Sequence, residues 1–358
     1  FKKHDINPDS AFETCGVGDI NRDGRLDIMC GDTWYEATGD PASPWKSRHV
    51  CDIKAEGGYY HDFSNELEDV NGDGRLDVVS CTWHTESVLW REQPESLDQA
   101  WISHNVDKIG NVEVGFHVDI NGDGLLDFHP HVSGKVVWYE RLKTSKDDTY
   151  WKRHIVGERK GYGEGTGDMD GDGDMDIVAS EGWFEQPNDS PDSQWIWHPE
   201  FQLGAEASDP ILVHDFTGDG LVDIVWGMGH NYGIYWLEQG RDPEGKRTWL
   251  RHTIDETWSQ AHCLQLADFN GDGVMEFATG KRYFAHNGND PGANDPIMVC
   301  IYSWNSVEKS FERYILDQGS RTGFGLRAVV SDLDKDGDPD IICPGKSGLY
   351  WFENRRQH

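Results

Sequence analysis

Short apolar runs rich in β-branched and aromatic residues follow one another along the chain, each bounded by polar turn residues. One kind opens on an acid, as in DIMC at 27–30, DVVSC at 77–81, DIVAS at 176–180, DIVWG at 223–227 and DIICP at 340–344. A second ends in an aromatic and a glutamate, as in VLWRE, KVVWYE, GIYWLE and GLYWFE. A third carries an aromatic three residues before a histidine or its substitute: Trp101 and His104, Trp151 and His154, Trp195 and His198, Trp249 and His252, Phe311 and Tyr314. Such runs read as buried strands. One more strand before each acid-led run makes four per repeat.

Between the first and second strands lies an acidic loop with oxygen side chains at positions 1, 3, 5 and 9 and glycine at 6. It recurs seven times. The copies are 19–27 (Asp19, Asn21, Asp23, Asp27), 69–77 (Asp69, Asn71, Asp73, Asp77), 119–127 (Asp119, Asn121, Asp123, Asp127) and 168–176 (Asp168, Asp170, Asp172, Asp176). They continue at 215–223 (Asp215, Thr217, Asp219, Asp223), 268–276 (Asp268, Asn270, Asp272, Glu276) and 332–340 (Asp332, Asp334, Asp336, Asp340). Oxygen ligands around a glycine turn suit a hard cation that takes six to eight oxygens, so up to seven structural Ca²⁺ are expected. An EF-hand is excluded, because it needs a bidentate glutamate at position 12 and flanking helices.

The first aspartates recur at intervals of 47 to 64 residues, the period of a four-stranded propeller blade. The chain ends in GLYWFEN, a third strand, and the missing fourth is supplied by Phe1 and His4 at the other end. The expected fold is therefore all-β: one seven-bladed β-propeller domain over 1–358, with residues 1–8 as a clasp that completes the last blade and removes the open sheet edges. These loops resemble the calcium-binding FG-GAP, or VCBS, repeats of integrin α-chain propellers and many bacterial secreted proteins. The resemblance implies fold more than function, since such repeats serve adhesion and enzymes alike.

The formal charge of −33 lies largely in the loops. Seven divalent ions would reduce it to about −19, still too acidic for a nucleic-acid or anionic-membrane partner. Calcium loops of modest affinity work where the ion is abundant, which favours a secreted, periplasmic or cell-surface protein. No run is apolar enough to insert in a membrane, and the chain opens at FKKHD as a processed or trimmed chain would. Seven scattered cysteines read as buried small hydrophobes, with one disulfide as the lesser alternative.

Residues at one register in most blades belong to the blade, so His49, His104, His154, His198 and His252 read as structural. Polar residues that appear once are the functional candidates. With the calcium loops on one face of the disc, the start of strand one and the end of strand two emerge on the other, at a shared mouth. That selects His61, Glu164, His262 and Arg327, then His84, His131, Glu181, His230, Lys281, Arg282, Tyr283 and Lys346, with Trp34, Trp83 and Trp183 as aromatic neighbours. The insertion that follows, through His286 to about Pro296, is expected to hang over the mouth.

Tryptophan faces stack on sugars and cations suit carboxylates, so carbohydrate is the expected partner, an acidic polysaccharide or a keto-sugar. The block at 259–292, with YYHDF at 59–63, resembles the propeller domain of fungal aldos-2-ulose dehydratases, whose corresponding repeat also carries a histidine six residues before the loop, where His262 stands. More loosely it is similar to seven-bladed polysaccharide lyases, which use His, Tyr and Arg at the mouth. These likenesses imply a lyase or dehydratase. β-Elimination needs a base, a stabiliser of the enolate and an acid for the leaving oxygen. His262 or His61 suits the base, Tyr283 the acid, and Lys281 with Arg282 the neutralising pair. A catalytic Zn²⁺ or Mn²⁺ held by His61, His262 and Glu164 suits equally well. The alternative of another class is a non-catalytic, calcium-stabilised propeller that binds a glycan or protein through the same face. Paired-carboxylate hydrolysis by Glu164 and Glu181 is a weaker third choice.

Overall fold

The structure, a computed structural model, describes residues 1–39, 43–146 and 149–356. Seven four-stranded antiparallel sheets follow one another around a ring, and no α-helix occurs among the described residues. In the first six blades the strands run in chain order from the axis outward. Blade one, for example, consists of Gly16–Gly18, Asp27–Cys30, Thr33–Glu36 and Lys46–His49. Blade seven takes its outermost strand, Lys2–Asn7, from the other end of the chain. That strand lies antiparallel to Leu349–Glu353 with Lys3 opposite Phe352 and His4 opposite Trp351, as the clasp predicts.

Innermost strands of adjacent blades pack so closely that side chains are excluded at some positions. A Cβ on Gly165 would stand 2.0 Å from the Ile211 carbonyl oxygen of the next blade, and one on Gly16 equally close to that of Asn65. The core is accordingly divided into clusters, several of which join side chains of neighbouring blades; one holds Val225, Trp236, Leu264 and Phe277 of blades five and six.

All seven acidic loops close alike. The first aspartate accepts the N–H of the glycine at position six at 2.8–3.0 Å, and that glycine has φ of 84–97°, a region other residues avoid. The ninth-position aspartate turns inward. Asp77, for example, is fully buried and accepts N–H groups from Val70 and Gln93, tying the loop to the end of the third strand. Glu276, one carbon longer, reaches only the Phe269 N–H and the Asn270 amide.

The repeated histidines explain themselves. His104, His154, His198, His252 and His4 each lie 4.1–4.4 Å from a tryptophan ring of the adjacent strand, roughly parallel to it, and meet a glutamate from that same strand. Blade one departs from the rule: Arg48 covers Trp34 and binds Glu36, leaving His49 exposed beside Asp52. His154→Ala should therefore cost about 1–2 kcal/mol in urea unfolding, from the lost ring contact and the stranded Glu140, while His49→Ala leaves the midpoint unchanged. All seven cysteines are free and six are buried, so the lesser expectation of a disulfide is not met.

Candidate functional site

Contacts between blades that are not neighbours can form only near the axis, and these mark the site. His262 of blade six faces Glu113 of blade three, with Nε2 3.5 Å from Oε1. Arg282, just after the second strand of blade six, donates to both oxygens of Glu13 at 2.8 and 3.3 Å and stands 3.5 Å from Glu113. His131 of blade three meets Asp209, which precedes blade five.

One register generates most of this. Six residues before the first aspartate of the seven loops stand Glu13, Phe63, Glu113, Tyr162, Asp209, His262 and Leu326. Each leads into or starts the innermost strand of its blade. Phe63 and Glu113 line an open cleft of about 320 Å³ with Gly57, Tyr59, Trp83, His84, Arg282 and His286. Tyr59 comes from a small hairpin, Ala55–Glu56 with Tyr59–Tyr60, that has no counterpart in the other blades among the described residues. Beyond it, Asp62 fixes the loop by accepting from Thr14, Asn65, Ser80 and Arg91. His61 is thereby held flat against His84, ring centres 4.6 Å apart. Lys346 sits 3.4 Å above the Tyr59 ring.

The insertion in blade six reaches the mouth as expected. Its short 3-10 turn, Ala285–Gly288, includes His286 and Asn287 at positive φ and brings the His286 N–H 2.6 Å from the Tyr59 hydroxyl. The His286 ring lies 4.4 Å from His230 and bonds Asp290.

Below the cleft is a second, fully buried layer. Glu164 accepts from His129 at 2.6 Å and pairs with Arg159, which also contacts His131 and the carbonyls of Gly161 and Val132. Tyr162 connects the layers, its ring 4.1 Å from His131 and 5.6 Å from His262.

Burial sets the charges. It pushes the Glu113 carboxyl up, but His262 and Arg282 outweigh it and hold the group well below the usual carboxylate range. Burial, then the neighbouring His262, pushes His230 down to about 3. Burial and Arg159 push His131 down to about 3, while burial and Glu164 push Asp209 up to about 8.

Of the residues expected at the mouth, His61, His84, His230, His286, Arg282, Lys346 and Trp83 do gather there, while His131 and His262 are buried beneath it. Others do not. Blades one and four turn tightly between strands two and three, so Trp34 and Trp183 already belong to the third strand and are 1% exposed within the blades. Lys281 is fully buried, its ammonium donating to Ser259, Gln260 and the Gly292 carbonyl; it anchors the insertion and is not a cleft cation. Tyr283 is not among the residues that line the cleft and lies against Phe284, and Glu181 accepts the Lys160 N–H. Arg327 binds Glu66 on an innermost strand of blade two. Glu164 belongs to the layer below, so the metal set of His61, His262 and Glu164 does not assemble. Glu13, Tyr59, Glu113, Tyr162, Asp209 and Arg159 were missed from sequence.

Fold and loops define a class: a seven-bladed β-propeller built from FG-GAP-like repeats. The FG-GAP-like repeat family matches residues 69–129 and 215–279. In structure the chain is similar to BBS1N, solved in complex with ARL6DN, with a TM-score of 0.55 and 10% identity over 99% of this chain and 96% of that one. It is also similar to the exotype rhamnogalacturonan lyase YesX, with a TM-score of 0.51 and 12% identity over 98% of this chain and 72% of that one. At such identities the likeness is one of fold. No curated protein matches the chain in sequence. Among the described residues no helix is long and apolar enough to cross a membrane.

Proposed function

We propose that the protein is an extracytoplasmic carbohydrate-active enzyme that cleaves an acidic sugar by β-elimination at the mouth of the ring. The observation that carries this reading is the cleft itself, where Tyr59, Phe63 and Trp83 form an aromatic wall beside the Arg282 guanidinium, two cleft-lining histidines and a single ionised carboxylate. Aromatic faces hold a sugar ring, and Arg282 faces the carboxylate whose charge grows as the α-proton leaves. His84, backed by His61, is the base in this reading. Burial raises the Tyr59 phenol pKa, so it has a proton to give to the leaving oxygen. His262 is one layer down and fully buried, which removes it from direct contact with sugar in this arrangement. The fold shared with a rhamnogalacturonan lyase supports the substrate class.

The acidic loops we read as calcium sites. In loop four the donor atoms of Asp168, Asp170 and Asp176, and in loop six those of Asp268, Asp272 and Glu276, lie within 4.8 Å of one another, a gathering of carboxylates that a hard cation relieves.

The test is ultraviolet absorbance of the unsaturated product during incubation with acidic polysaccharides and keto-sugars. A rise is expected, reduced about 100-fold or more in His84→Ala and through weaker substrate binding in Trp83→Ala. Retained glycan binding with no rise on any substrate would replace the enzyme by a glycan-binding propeller.

A further inference from the structure

One register ties blades to their predecessors. The residue after the glutamate of the third strand sends its side chain across the seam to the carbonyl of the second residue in the preceding acidic loop. Gln93 donates to Ile20 at 3.1 Å, Gln186 to Ile120 at 2.9 Å and Asn354 to Phe269 at 2.8 Å, and all three side chains are buried. Arg141 of blade three reaches Val70 in the same way. Blades five and six carry long side chains at this place too, Gln239 turned to Val222 of its own loop and Trp304 packed on Phe311. Blade one breaks the series. Ala37 has only a methyl group there, too short to cross to blade seven. Leu333, opposite, gives its N–H to Asp340, but among the described residues no side chain donates to its carbonyl. Between Ala37 and Leu333 lies a pocket of about 190 Å³, walled by Trp45 and Trp351, whose rings meet edge to face with centres 6.4 Å apart. That is about six water molecules' share of the liquid and less than a drug-sized ligand needs, so it is room for one side chain.

We propose that this seam is a docking pocket for a primary carboxamide carried by another polypeptide, the side chain of a glutamine or asparagine. The carboxamide donates to the Leu333 carbonyl as Gln93, Gln186 and Asn354 donate at their own seams, and its methylenes rest against Trp45 and Trp351. The protein itself shows which group fits, because three of its blades seat that group at the same place. A carboxylate is the wrong occupant. It has no N–H to give, and Asp334 at the pocket wall repels it. The two cations beside the pocket do not rescue it: Arg25 pairs with Asp23 and donates to the Ala37 carbonyl, and Lys335 donates to the Gly24 carbonyl at 2.6 Å. Arg25 and Lys335 belong to acidic loops one and seven, so the pocket lies on the loop face, across the disc from the cleft, and a partner seated there leaves the mouth open. Binding is independent of the elimination reading and is measured without sugar.

The experiment uses the whole protein in excess Ca²⁺, titrated with the end-blocked tripeptides Ala-Gln-Ala and Ala-Glu-Ala and followed by ligand-observed nuclear magnetic resonance. Saturable binding of the glutamine peptide is expected, with the glutamate peptide about tenfold weaker or more, since it leaves the Leu333 carbonyl without a donor. Ala37→Gln fills the seam from within and should abolish binding with circular dichroism unchanged. Trp45→Ala keeps the gap but removes a wall, and should weaken binding about fivefold or more, which provides a second reading should Ala37→Gln fail to fold. No saturable binding by the native protein, equal binding of the two peptides, or undiminished binding in a folded variant overturns the proposal.

Discussion

Excess EDTA should lower the melting temperature by about 10 °C or more, and restored Ca²⁺ should reverse the shift. Each loop carries oxygen side chains at its first, third, fifth and ninth positions around a glycine turn, and in loops four and six carboxylate oxygens come within 4.8 Å of one another. Without an ion those charges repel, and the N–H bonds to the first aspartate hold the loop closed alone. An ion at a hundredfold its dissociation constant adds about 2.7 kcal/mol per site, and the loops sit between the first two strands of every blade, so losses accumulate around the ring. The loops are not equal. In the fifth, Thr217 supplies a hydroxyl that donates to Asp215 at 3.4 Å in place of an amide or carboxylate, so Asp219→Ala should shift the melting temperature less than Asp172→Ala. A melting temperature indifferent to EDTA would remove calcium from the account.

The second large effect is expected from Arg159→Met. Its guanidinium is buried against Glu164, contacts His131 and donates to the carbonyls of Gly161 and Val132. Removal leaves Glu164, with no exposed surface, to the two histidines His129 and His131. Breaking such a pair costs about 3–5 kcal/mol, most of it the uncompensated buried charge. The double variant Arg159→Met, Glu164→Gln should recover much of the loss, since the stranded charge is gone. Substituting Lys54, exposed beside Glu56, should change nothing measurable. If Arg159→Met unfolds at the wild-type urea concentration, the buried layer does not hold the centre together.

Seven copies of a nine-residue loop made the blades, their number and the clasp legible in the sequence, because a repeat averages over local irregularity. The site was only half legible for the same reason reversed. Its members appear once each, and Glu13, Glu113 and Asp209 are three acids among 65, recognisable only after noticing that they share with His262 the sixth place before a loop. Trp34 and Trp183 were displaced by a turn length: where strand two ends after four residues, a fixed count lands in the next strand. Lys281 carries the right charge in the right segment, yet three acceptors turn it inward. Arg159 lies between two repeats and shares no register with anything.

The clasp has a consequence for how the molecule comes into being. Among the strands of the ring, Lys2–Asn7 is made first and its partner, Leu349–Glu353, last. Six blades can pair their strands as they emerge, but the ring stays open until the last of its strands has left the ribosome. Through that interval the clasp strand has only water for its backbone groups, and the His4 imidazole is without Trp351 and Glu353. Cross-axis contacts such as Arg282 with Glu13, which join early and late parts of the chain, cannot settle before closure. The candidate site thus belongs to the finished circle, and a nascent chain one strand short would have blades but no mouth.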